Sequence, residues 1–107
     1  MTTPELLQKI KSSLKALYGD RLKSIILYGS EARGESRPDS DIDILVALDG
    51  WFSVFDEIKA TVKAITPLEL ELGNNYRPIH IMPVDAAGFD AGACGFYRAV
   101  QREGVPL

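Results

Sequence analysis

At 107 residues, 46% of them apolar and 25% charged, the chain has the composition of one soluble globular domain spanning residues 1–107. No apolar run approaches the roughly 18 residues of a membrane span, the start Met1-Thr2-Thr3-Pro4-Glu5 lacks the pattern of a secretory leader, and the one cysteine, Cys94, excludes a disulfide framework, so a cytoplasmic location without a membrane partner is expected. A net charge of −3 leaves no surplus of cations to neutralise phosphates, so direct binding of nucleic acid is not expected, although Arg21, Lys23, Arg33 and Arg37 fall close together.

The first element reads as a helix. Thr3 can cap it, Pro4 suits its first position, Leu7, Ile10, Leu14 and Leu17 lie on one face, and Gly19 ends it. Residues 22–28 follow as a buried strand that leaves through Gly29-Ser30. Residues 31–40 are polar, with Gly34 and Pro38, and have room for one short helical turn. Residues 42–48 form a second strand, stopped by Asp49-Gly50.

A second helix fits residues 53–65, with Phe55, Ile58, Val62 and Ile65 at helical spacing and Thr66-Pro67 as its break. Leu68-Glu69-Leu70-Glu71-Leu72 alternates as a half-buried strand does. Gly73-Asn74-Asn75 is a turn signal, and residues 78–84 read as a further strand, so the two strands are expected to pair as a hairpin. A last helix covers about residues 89–102, weakened by Gly92 and Gly95. The sum is an α/β (α+β) domain: a small mixed sheet of about three to five strands with helices mainly on one face.

The chemistry concentrates in residues 29–43. Asp41 and Asp43, two apart at the start of a strand, point to one face while Ile42, Ile44 and Val46 point to a core. Two adjacent carboxylates repel unless a cation neutralises them. Oxygen ligands of this kind suit Mg2+, which takes one or two protein carboxylates and completes its shell with water and substrate phosphate. Gly29 lets the backbone turn sharply and approach a ligand, Ser30 offers a hydroxyl, and the next turn offers free amides, all of which suit phosphate. Arg33 adds a cation beside the same loop. Each piece is common by itself. Gly-Ser after a buried strand, a ten-residue polar spacer and then Asp-x-Asp opening another buried strand is specific as a combination.

On these residues the chain resembles the minimal nucleotidyltransferases of the DNA polymerase beta-like nucleotidyltransferase superfamily. Its members often serve as the antitoxin of a toxin–antitoxin pair with a HEPN ribonuclease. The resemblance covers the preceding helix and strand, Gly29-Ser30, Arg33-Gly34, Ser40-Asp41-Ile42-Asp43 and the ending Arg102-Glu103-Gly104-Val105-Pro106-Leu107. It implies the nucleotidyltransferase fold over residues 1–107. It also implies that Gly29 and Ser30 bind the phosphates of a nucleoside triphosphate, with Asp41 and Asp43 as catalytic Mg2+ ligands. AMP would pass from ATP to a hydroxyl of a protein partner, a HEPN-type toxin, with release of pyrophosphate.

Members of that family usually carry a third carboxylate on a later strand. Here that strand is Ile79-His80-Ile81-Met82, and His80 takes the acid's place on the open face with Asp41 and Asp43, as a candidate catalytic base. Glu69 and Glu71 are alternatives, expected on the same open face if the leucines pack inward. A second reading is therefore a catalytically weakened nucleotide-binding module that restrains a partner by binding. The exposed side of the last helix, with Tyr97 and Arg98, or the Trp51-Phe52 pair would supply its surface. A homo-oligomer would complete the acceptor side as well as a partner would.

Overall fold

The structure is a computed structural model that describes residues 1–50 and 53–107. Helix α1 (Thr3–Tyr18) starts where the Thr2 hydroxyl accepts the Glu5 amide at 3.2 Å. The cap is thus Thr2 rather than Thr3. The buried stripe is Leu6, Ile10, Leu14 and Tyr18, a regular four-residue spacing. It is rotated from the expected face, so Leu7 is only partly buried and Leu17 is 38% exposed.

Strands β1 (Leu22–Tyr28) and β2 (Ile42–Leu48) run antiparallel, with Tyr28 opposite Asp43. Strand β3 (Ile79–Asp85) lies parallel to β2 and sets His80 beside Asp43. A short β4 (Val105–Pro106) pairs antiparallel with Ile26 and Leu27 of β1, giving the order β3-β2-β1-β4. No strand was expected at β4. Gly104 lets the chain turn into it, because a β-carbon there would collide with Ile26 and the Val100 carbonyl.

A parallel pair needs a long crossover, and here it is one helix, α3 (Val54–Leu72). This overturns the expected break at Pro67 and the hairpin after it. Thr61, Ile65, Leu68 and Leu72 form the buried stripe of α3, whereas Leu70 is 76% exposed. The alternating leucines thus fit a helix with two of three facing inward. Pro67 cannot bond the Lys63 carbonyl, but Lys63 is exposed and water can serve it. The expected last helix is also two pieces, α4 (Ala86–Asp90) and α5 (Gly95–Glu103), parted at Gly92. Asp85 caps α4 by accepting the Gly88 amide at 2.9 Å.

The two long helices, α1 and α3, cover one sheet face over Ile25, Leu27, Ile42, Ile44 and Val46. Short α4 and α5 cover part of the other, over Ile26, Leu45, Ala47 and Val84. Ile42, Ile44, Leu45, Val46 and Leu48 of β2 are wholly buried. At roughly 1.5–3 kcal/mol for each such side chain, β2 is the rigid axis of the fold. The aspartates stand at its leading end.

Candidate functional site

Strand β1 ends at Tyr28, and the chain turns at Gly29 into the single-turn helix α2 (Gly29–Ala32). Gly29 has φ +75°, and a β-carbon built on it would lie 2.6 Å from Asp43 Oδ2. Glycine is therefore required twice, for its backbone conformation and for its closeness to a carboxylate. The antiparallel pairing of β1 with β2 creates that closeness, since Tyr28 and Asp43 are register partners. Ser30 follows at once, partly buried, in the first turn of α2, where helix amides have no partner within the helix.

Asp43 shares its sheet face with Leu45 and Ala47, which are buried under α4 and α5. Those helices stop short of Asp43, leaving it partly open. Burial pushes its carboxyl above the usual range. The charge of Asp41 adds to this, and those of His80 and Arg33 oppose it. Asp41 is half exposed, and its Oδ2 lies 3.2 Å from His80 Nε2. Two carboxylates side by side on a partly open face, with Asp43 held above its usual range, fit a hard divalent cation such as Mg2+. Among the described residues no group of three His, Cys, Asp or Glu side chains is placed to hold a metal ion. The protein would supply two oxygen ligands, leaving the remaining positions to water and phosphate.

His80 lies where the alternation of β3 puts it: Ile79 is in the core, Ile81 packs against it, and His80 is exposed beside Asp41. The two glutamates do not share that face, because they belong to α3. Glu69 accepts both the Ile79 amide and the Tyr76 hydroxyl at 3.2 Å, and Glu71 pairs with Lys9 at 3.1 Å. Glu69 and His80 do border the same cavity of about 240 Å³, between α3 and the β3 edge.

Arg33 is less free than its position suggested. Its Nε donates to Glu35 at 3.1 Å and Nη1 lies 4.0 Å from Glu103, although its charge still reaches Asp43. With Gly29, Tyr28 and Phe96 it lines a groove of about 280 Å³, whose aromatic wall is an edge-to-face Tyr28–Phe96 pair at 5.5 Å. The other basic residues do not join it: Arg21 bonds Glu57 at 3.1 Å and Lys23 faces Asp49 at 4.0 Å. The last helix keeps an exposed side on which Arg98 lies, while Tyr97 is only partly open. Tyr97 packs edge-on against Phe89, and Arg98 donates to the Gly92 carbonyl at 2.9 Å. Trp51-Phe52 lies outside the described residues.

Sequence reading missed one residue, Arg77, which precedes β3. It is buried and binds Glu31 of α2, the Ser40 carbonyl and the Thr3 hydroxyl. A lone arginine before a proline carries no periodic signal, and its partners lie 37 to 74 residues away in sequence.

The sequence model of the family described as "Nucleotidyltransferase domain" matches residues 7–92. A protein of Methanocaldococcus jannaschii described as a "putative protein adenylyltransferase" is 42% identical over 72 residues, which is 64% of this chain and 70% of that protein. A second of the same description and organism is 43% identical over 49 residues, covering 46% of this chain and about half, 49%, of its own length. The crystal structure of a "putative nucleotidyltransferase" from Sulfolobus solfataricus superposes with a TM-score of 0.66 at 22% identity, covering 95% of this chain and 76% of the other. At that identity the likeness is one of fold.

Proposed function

The chain belongs to the nucleotidyltransferase domain family, and from that premise we propose that it transfers AMP from ATP, with Mg2+, to a hydroxyl of a protein partner. The observation that carries this reading is the contact of Gly29 with Asp43, 2.6 Å from a built β-carbon to the carboxylate. It puts the Gly-Ser turn and the carboxylate pair within one small volume, as a nucleotide held by its phosphates and its metal needs. Asp41 and Asp43 would hold Mg2+, which when bound neutralises phosphate charge and steadies the attacking and leaving oxygens. Gly29 and the α2 amides would cradle phosphate, Ser30 would donate its hydroxyl, and Arg33 would add charge from the groove edge. His80, on the open side, would take the acceptor's proton. Little covalent help is asked of the protein, because phosphoryl transfer depends mainly on positioning and charge neutralisation.

The protein acceptor draws support from the relatives described as protein adenylyltransferases. A HEPN-type toxin as that acceptor, with this chain as its antitoxin, rests on the sequence resemblance. A second reading has its own support: Glu69 is committed to the Ile79 amide, and among the described residues no third acid joins the pair. In that reading the chain binds nucleotide and neutralises its partner by complex formation.

One experiment separates the two. The purified chain is mixed with ATP, Mg2+ and a HEPN-type partner, and the partner's mass is measured with wild type and with Asp41→Asn/Asp43→Asn. A gain of one AMP that the double variant abolishes supports transfer. A stable complex without that gain sinks it and leaves the binding module.

A further inference from the structure

Arg77 is 7% exposed, and its guanidinium reaches three separate segments. Nε donates to the Ser40 carbonyl at 2.8 Å, Nη2 to the Glu31 carboxylate at 2.7 Å, and Nη1 to the Thr3 hydroxyl at 3.3 Å. Glu31 and Ser40 are the first and last residues of the ten-residue spacer. One directly follows Ser30, and the other directly precedes Asp41. A single planar group therefore ties both ends of the spacer to each other and to the start of α1.

The spacer needs such a tie. None of residues 31–40 is buried, and of these only Ala32 packs against the core. Burial of apolar surface, which fixes β1 and β2, does not fix the chain between them. A buried charge is retained where it is paired and hydrogen-bonded, and Glu31 supplies both. Arginine suits the task because its donors leave in fixed directions from one plane, whereas lysine offers a point charge on a flexible stem.

Resting on the nucleotide reading above, we propose that Arg77 is a positioning residue of this site: the β1–β2 register holds Gly29 against Asp43 but ends at the Tyr28–Asp43 pair, and Arg77 fixes Ser30 and Asp41, which lie beyond it, relative to one another. It touches no nucleotide. Its charge is matched by Glu31, and it lies beneath the spacer and away from the open face. Its effect reaches the ligand through Ser30 at one end and Asp41 at the other.

The test uses Arg77→Lys, with Glu31→Gln as a second variant that keeps an acceptor oxygen. Amide NMR spectra of the nucleotide-free chain and Kd for Mn2+–ATP are measured for each, beside thermal melts. The expected result for Arg77→Lys is a cooperative melt, displaced Ser30 and Asp41 amide signals with β4 signals in place, and Kd raised at least about 10-fold, as for supporting groups around a metal site. Glu31→Gln moves the same signals and raises Kd by less. Unmoved Ser30 and Asp41 signals overturn the proposal, and so does an unchanged Kd in a folded variant. If wild type itself binds no Mn2+–ATP, the nucleotide reading fails, and the amide signals alone then decide whether Arg77 holds the two ends. If Arg77→Lys does not fold, Glu31→Gln decides by the same signals.

Discussion

Gly29 and Asp43 are in contact across the β1–β2 pair, with no space for a side chain at position 29. Gly29→Ala would set a methyl 2.6 Å from the carboxylate oxygen and strain a backbone at φ +75°. The strain costs about 1–2 kcal/mol, which the core of β2 can absorb. The carboxylate must move, however. The expected outcome is a folded protein, less stable by that amount in urea melts, with Mn2+–ATP affinity lowered at least about 10-fold in calorimetry. An alanine variant of undiminished affinity would separate the Gly-Ser turn from the metal pair.

Asp43 carries a charge that the folded chain holds at a cost, since burial and the neighbouring Asp41 both disfavour it. Asp43→Asn removes the charge and keeps the shape. At neutral pH the variant should therefore melt above wild type when no metal is present. Transfer should fall by about 100-fold or more, as when one preorganised electrostatic group is lost. Stability gained together with activity lost is the signature of a functional charge. A variant that melts lower would mean that Asp43 is a structural residue.

The two leucine positions that overturned the expected hairpin give a direct check of α3. In a strand with inward leucines, Leu68 and Leu70 would be equivalent. In the helix, Leu68 is 8% exposed and Leu70 is 76% exposed. Leu68→Ala should cost about 2–5 kcal/mol, and Leu70→Ala less than about 0.5 kcal/mol, both read from chemical denaturation. Equal losses would restore the strand.

These leucines also mark how far the sequence could be read. The Gly-Ser and Asp-x-Asp elements were legible because they flank the short unbroken apolar runs Ile25-Ile26-Leu27 and Ile44-Leu45-Val46-Ala47-Leu48, which carry no helical period. The facing of His80 followed from alternation in a strand bounded by isoleucines. Leu68 to Leu72 was ambiguous, because leucines two apart fit a strand and leucines four apart fit a helix. Pro67 tipped the reading the wrong way, since its cost depends on whether Lys63 meets water. Arg77 and β4 depend on partners distant in sequence, and local pattern carries no trace of them.

Acid should loosen the spacer before it unfolds the core. Burial disfavours the charge of Glu31, but hydrogen bonds from Ser36 and Arg77, with the Arg77 charge, outweigh it and hold its carboxyl below the usual range. A carboxyl depressed in the folded state binds fewer protons there than when unfolded. Its contribution is therefore fully present above the ordinary glutamate range and is lost as pH falls through the folded value. Glu31→Gln should lower stability at pH 7 by about 2 kcal/mol, the scale of a hydrogen bond to a charged group. The gap to wild type should narrow as the solution is acidified, in urea melts across that range. A gap independent of pH would mean that Glu31 acts through shape and not through charge.

His80 stands beside Asp43 in the parallel register, at the place where the sequence resemblance implies a third carboxylate. His80→Asp would therefore complete an acidic triad on the open face without touching the core, since the native side chain is 59% exposed. Without metal, three like charges in one place should destabilise the chain, and the aspartate variant should melt lower at pH 7 than His80→Asn. With Mn2+ the order should reverse, because a third oxygen ligand stabilises the folded state in proportion to the metal it binds. Transfer to a protein hydroxyl then separates the two functional readings. If His80 already takes the acceptor's proton, His80→Asn slows transfer and His80→Asp restores it. If the native chain is a weakened binding module, His80→Asp alone raises a rate that wild type and His80→Asn lack alike. A variant that gains no metal affinity would place the third ligand elsewhere than on β3.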